Sequence, residues 1–487
     1  MTQVNVTIYA VYLCVYLAFM IGVGIYHALK IRSVDEYLIA GWNVGFWRIV
    51  GTIVATWCGA AAFIGFVGLG YTSGVNGIFF WVVPGVIFSL VIVVIFGRIL
   101  HKLKMYTIPD AFALRFGKNT AFVPSLFQIF VYAIPTLAIQ FIGMGTIFKT
   151  FFGFSMPSGI ILGFALIFVY TLLGGMPSTI LTDTIQAVIL YVGILSLFFF
   201  GIYFAGGLGK VIEITPSHYW SPFGKAGFGT FISLALTVGP FYMLWQCTWQ
   251  RIYAAKDADT AVRAGTLGFI LAGLATCFSF SIGIIARGYL PHDLRPDLVF
   301  TQAISTVFPA VIGGIIVVGL AAALMSGGDS FIMMGSASVA RDIYQQYFKP
   351  DATKTQMLKI SRWSVVVIAL IGLVVALIGK GIIPVYIMVV KTAGAGTVFP
   401  FLALMFWRRA TRKGILAGMI VGGVVTIVWH IAGNPWIMQA VPGYLSCLVA
   451  LVLVSLLTSH APDEQVKAAY FEPLDVKEYT QRLSHEG

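Results

Sequence analysis

The chain has 487 residues, of which 59% are hydrophobic and only 10% charged, against roughly 45–50% and 25% in an ordinary soluble domain. With a mean hydropathy of +0.93, it carries more apolar surface than a water-soluble fold can bury, and its unbroken apolar runs exclude a β-barrel, which would show alternating segments of about 10 residues. A soluble enzyme, a nucleic-acid binder and a disulfide-framed secreted domain drop out, leaving an all-α polytopic membrane protein.

A crossing helix needs about 20 apolar residues. Thirteen runs meet this in chain order: α1 (6–29), α2 (46–72), α3 (77–100), α4 (121–151), α5 (157–175), α6 (179–206), α7 (227–248), α8 (262–288), α9 (303–336), α10 (358–379), α11 (382–407), α12 (414–432) and α13 (438–458). The first run has no Lys or Arg before Lys30 and is too long for a signal-peptide core, so it reads as an uncleaved anchor. Residues 1–459 then form one transmembrane domain and 460–487 a short polar tail with no room for a kinase or nucleotide-binding domain.

The formal charge of +12 acquires meaning from its placement, because basic residues in short loops mark the cytoplasmic side. With the N-terminus outside, the outer segments hold only Lys149, Lys210, Lys225, Arg287, Arg295 and Lys380, and Lys391 lies within a span. Every other basic residue falls inside, with clusters at Arg98, Lys102, Lys104, Arg115 and Lys118 and at Arg408, Arg409, Arg412 and Lys413. The expected topology is N-out and C-in, in a plasma membrane.

Cys14, Cys58, Cys247, Cys277 and Cys447 all lie in apolar runs, without C-x-x-C or His-paired spacing, and support neither a disulfide frame nor a zinc site. A charge at membrane depth is a functional candidate by default. Three stand out: Asp183 near the inner start of α6, Asp329 late in α9 and Lys391 within α11. The competing reading caps a helix with the acids and lets the lysine snorkel. His430, near Gly433 and Asn434, reads as interfacial. Breakers interrupt α2, in TWCGAAAFIGFVGLG, and α7, at Gly239-Pro240 in TVGPFYMLWQ. Freed carbonyls at membrane depth line a cavity, and two interrupted helices five spans apart are the pattern of an inverted-repeat transporter.

At these residues the sequence resembles the sodium:solute symporter family, over essentially all thirteen helices. Its landmarks are DEYLIAG (35–41), ATWCGAAAFIGFVG (55–68), YTLLGGMPSTILTDTIQ (170–186), WQRIYAAKD (249–257), AAALMSGGDSFIMMGSASVARDIY (321–344) and RKGILAGMIVG (412–422). The resemblance implies a five-plus-five inverted repeat of LeuT type, α2–α6 and α7–α11, and cation-coupled symport of a small organic solute by alternating access. It places sodium, the coupling ion and sole cofactor, against the carbonyls of Ala55, Cys58 and Ala323 and the hydroxyl of Ser326, with Asp183 on the ion pathway. The substrate residues it implies are Trp57, Gly59, Trp245 and Gln246, with Lys391 added by its charge.

Two departures matter. The family's pair of successive hydroxyl residues on α9 is here Ser326-Gly327, so one side-chain oxygen is missing and proton coupling or no coupling stays open beside sodium. Trp57 and Trp245 fall where choline-transporter-like members cage a quaternary ammonium, a cation–π contact worth about 0.5–2 kcal/mol per ring. Val86, however, stands where a further aromatic is expected, and Lys391 favours a carboxylate or zwitterion. A channel lacks a repeated filter motif, and a membrane enzyme lacks a Ser/His/Asp or His/Glu constellation. A transporter-fold sensor that binds without accumulating remains the rival from another class.

Overall fold

The computed structural model describes residues 3–379, 381–433 and 440–459; the tail 460–487, Lys380 and Asn434 lie outside them. Among the described residues the chain is helical, with no strand beyond an isolated bridge between Val44 and Ala255. By length and composition ten helices can cross a membrane, or twelve when each of two bent pairs is one span. The thirteenth crossing requires Met156–Phe204 to contribute two. That segment has 49 residues, about 74 Å at 1.5 Å per residue, over twice the ~30 Å hydrocarbon core. Its helical path is broken at Gly175 (φ 53, ψ −160), and a Cβ there would lie 2.6 Å from the Tyr37 ring. We take α5 and α6 as the arms before and after that glycine.

Helix ends follow local chemistry. α8 is Ala258–Ala286, started by the Asp257 side chain accepting from the Thr260 N–H at 2.7 Å; this bond holds the Asp257 carboxyl below the usual range. α10 is Lys354–Ile378, opened by a capping box between Thr353 and Gln356. α9 differs from the sequence expectation. It starts at Ala310, because Pro309 forces Phe308 into extended geometry (ψ 141) and cuts off the separate short helix Val299–Val307. The helical path then runs on to Phe348. α11 is Ile382–Phe406. Arg115, counted in the sequence as a loop charge, is buried and donates to the carbonyls of Ala403 and Trp407 at 2.7 Å each, closing the C-terminal end of α11.

The two bent pairs are α2, whose halves Phe46–Trp57 and Ala61–Ser73 meet at 55°, and α7, whose halves Gly227–Met243 and Gln246–Tyr253 meet at 41°. Helical bonding in α2 ends where the Cys58 N–H reaches the Val54 carbonyl (3.0 Å), and resumes with Phe63 to Gly59 (3.1 Å). The last carbonyls of the first half are thereby released. In α7 the helix passes through Gly239-Pro240 and breaks later, at Leu244 and Trp245. Gly239 answers a packing demand instead, since a Cβ there would run into the Phe88 ring. The carbonyls freed by the break are taken up by the side chains of Gln128 (Leu244, 3.3 Å) and Trp249 (Met243, 2.8 Å). The first half of α2 packs on α6 and α8, and α9 packs on α4 and the Met156–Phe204 segment, so the α2 break faces the middle of α9.

Candidate functional site

Close approach of two helices builds the lower layer of the site. A Cβ on Gly51 would lie 2.7 Å from the Thr184 Cα, and that contact brings Thr52 of α2 onto Asp183 of α6. Asp183 is fully buried and accepts hydrogen bonds from Thr52 Oγ1 and Ser326 Oγ. Arg251, from the second half of α7, is equally buried and sits 3.8 Å from the same carboxylate. Its other donors go to Thr52 (3.3 Å), the Cys247 carbonyl (3.0 Å) and Ser330 Oγ. Ser330 contacts Thr56 (3.0 Å) and Asp329 (3.2 Å), and Asp329 accepts from the Tyr170 hydroxyl at 2.5 Å. Two acids, one guanidinium and a chain of hydroxyls thus form one buried set.

Thr56 leads from this layer to a cavity at the α2 break. Its walls are largely aromatic: Trp57 lies 4.8 Å from Tyr242, Tyr242 5.3 Å from Trp245, and Trp245 stacks on Phe331 at 5.4 Å. Tyr242 and Tyr386 join through their hydroxyls at 2.5 Å. No lining side chain is charged. The free space is about 20 Å³, near the volume one water needs and far below the ~300–1,000 Å³ of a small-molecule site. This conformation is closed around the site and must open to admit a solute. Two lining residues carry donors with capacity to spare: Trp245, whose buried Nε1–H has no partner, and Gln140, whose Nε2 reaches only its own helix at the Thr136 carbonyl (3.4 Å).

Gln140 explains the missing hydroxyl. Its Oε1 accepts from the Ala60 N–H at 2.9 Å, just beyond the α2 break. A Cβ on Gly327 would lie 2.9 Å from its Cδ, and one on Gly59 2.8 Å from its Oε1. Glycine at both positions makes room for one carboxamide.

The residues named from the sequence separate accordingly. Trp57, Gly59 and Trp245 line the cavity. Ala55, Cys58, Ala323 and Ser326 are buried, and Asp183 bonds Ser326 directly. Asp183 and Asp329 are core groups, not helix caps. Gln246 points elsewhere, donating to the Met334 carbonyl (3.2 Å) and Ser338 (3.0 Å) and accepting from the Ile108 N–H (3.2 Å). Lys391 is half-buried, is absent from the cavity lining and makes no ion pair among the described residues. Val86 packs against Gly273 of α8 instead of the cavity. Sequence reasoning missed Thr52, Thr56, Gln140, Tyr170, Arg251 and Ser330. Arg251 falls with the inner loop when α7 is ended at 248, only three residues into its second half.

Residues 37–422 match the model of the sodium:solute symporter family, well over half of the chain. The chain belongs to the sodium:solute symporter family. Among relatives, this symporter is 24% identical to the high-affinity proline transporter PutP of Bacillus subtilis, over 92% of this chain and 97% of that one. It is also 24% identical to the sodium/pantothenate symporter of Escherichia coli, over 93% and 97%. Its fold matches a solved Na+-coupled sialic acid symporter with a TM-score of 0.80 at 21% identity, over 93% of this chain and 98% of that one. Mhp1, a nucleobase-cation-symport-1 family transporter, follows at 0.60 and 13%, over 92% and 98%. The architecture is the LeuT-type transporter fold, and the protein is a cation-coupled symporter of a multi-pass membrane family whose members are transporters, not enzymes.

Proposed function

We propose that this symporter is driven by sodium and imports a small zwitterion such as an amino acid by alternating access, with its N-terminus outside and C-terminus inside. A charge count carries the ion part. Asp183 and Asp329 are fully buried and Arg251, among the described residues, is the cation paired with Asp183, so with both acids ionised one negative charge is left over where unpaired charge is costly. One monovalent cation balances it. Carbonyls released at the α2 break suit sodium, a hard cation that takes oxygen ligands without needing a dedicated carboxylate. In this reading the carbonyls of Ala55, Cys58 and Ala323 and the Ser326 hydroxyl hold the ion, and Asp183 stages it. A proton on Asp329 is the rival way to neutralise the set.

The substrate class follows from a cavity without charged walls. A carboxylate can take the Trp245 indole and Gln140 amide donors, while an ammonium can lie on the ring faces beside Thr56. A free anion would lack a counter-charge there, since Lys391 is not in the lining. The run Trp57, Tyr242, Trp245 and Phe331 favours one second reading, a quaternary amine. A thermal-shift screen of the purified protein against amino acids, monocarboxylates, sugars and choline, each with sodium or potassium, tests both. Stabilisation by an amino acid only in sodium supports the proposal; stabilisation by choline alone replaces the substrate class, and indifference to sodium removes the ion.

A further inference from the structure

On the basic side of the molecule, away from the transport path, the end of α1, the end of α5 and the start of α10 enclose a groove of about 700 Å³. α10 contributes Thr355, Leu358, Lys359, Arg362, Trp363 and Val366, whose spacing of three and four puts them on one stripe of the helix. The facing wall is apolar: Ala28 and Leu29 from α1, Leu172 and Leu173 from α5. None of these residues is acidic, and neither Lys359 nor Arg362 forms an ion pair among the described residues.

The groove is graded with depth. At 1.5 Å per residue, Lys359 and Arg362 stand roughly 6–10 Å nearer the start of α10 than Val366 does, so along α10 positive charge lies toward the water and Val366 toward the bilayer middle. The Arg362 guanidinium is 5.9 Å from the Tyr37 ring centroid and its buried Nε has no hydrogen-bond partner. Tyr37 is itself fixed by donating to the Leu172 carbonyl at 3.2 Å. Trp363 is 59% exposed and Leu29 81%, an amphipathic ring and an apolar lip opening toward lipid. Lys30 and Arg32 follow α1 closely and add positive charge to the same end.

We propose that this groove binds an anionic phospholipid of the leaflet it faces, with the phosphate on Lys359 and Arg362 and an acyl chain along Leu29, Leu172, Leu173 and Val366. Unpaired cations above an apolar floor match that molecule at both ends. A soluble anion would leave the floor wet, and phosphatidylcholine would bring its own cation to two others. Each basic residue near an anionic surface is worth about fivefold in affinity.

Tryptophan quenching tests this in the full-length protein, reconstituted in nanodiscs of phosphatidylcholine doped with brominated phosphatidylglycerol or brominated phosphatidylcholine. The Trp363→Phe variant isolates the Trp363 signal by subtraction. That signal should be quenched at a several-fold lower fraction of brominated phosphatidylglycerol than of brominated phosphatidylcholine. Replacing Lys359 and Arg362 by Gln keeps Trp363 and should remove the preference, by about fivefold for each cation. Salt near 1 M, where the Debye length shrinks to ~3 Å, should weaken it with Lys359 and Arg362 in place, a check that does not depend on the double substitution folding. Equal quenching by the two lipids overturns the proposal, as the acids of residues 460–487 filling the groove would produce. A preference that survives both the double substitution and the salt overturns it too.

Discussion

Gly327 and Gln140 show how a missing atom becomes legible only in three dimensions. The sequence shows a hydroxyl absent from α9; the structure shows the Gln140 carboxamide in its space. Gly327→Ser should therefore destabilise the protein by about 1–3 kcal/mol, the usual range for overpacking, and Gln140→Ala should relieve that effect. Melting temperatures of the single and double variants check it; a Gly327→Ser protein as stable as its parent would remove the steric account. At Arg251 the prediction is electrostatic. Arg251→Met leaves the buried Asp183 without its cation and should cost about 3–5 kcal/mol, while adding Asp183→Asn should recover much of that stability. Lys391→Met is expected to leave substrate affinity unchanged, because Lys391 lies outside the lining of the cavity.

At the scale of the helices, composition and hydropathy were enough to locate the ten to twelve apolar spans among the described residues, because membrane-crossing segments must be long and apolar. Boundaries depended on single residues: Pro309 delayed α9, and α7 ran on past its break to Tyr253. The proposed ion residues on α2 and α9 came from short motifs of the family, and the structure adds that they are buried and that Ser326 bonds Asp183. Arg251 and Gln140 were not legible, since nothing local distinguishes a buried arginine near a helix end from an interfacial one, or a cavity glutamine from a packed one. The α2 break also predicts motion. Around a cavity of about 20 Å³, solute entry requires helices to move, and α2, α3, α7 and α8 are expected to rock against the rest. Single cysteines at opposite ends of α2 should then change labelling rate in opposite senses when substrate is added. Parallel changes at both ends would contradict rocking.

For the whole molecule, the buried set makes ion and solute movement one problem: Thr56 touches Ser330 in the charged layer and also lines the cavity. A cation that, with Arg251, balances Asp183 and Asp329 would favour the arrangement of α2 and α9 in which the cavity forms. Symport is then a consequence of shared helices, and a transporter-fold sensor would bind both ligands without releasing them inside. The direct measurement is uptake into proteoliposomes of the solute that stabilises the purified protein, under an inward sodium gradient at matched pH. The account predicts accumulation above the outside concentration, carrying positive charge inward and lost when potassium replaces sodium or when Asp183 is changed to Asn. Equal accumulation in potassium, or binding with no accumulation in sodium, would contradict it.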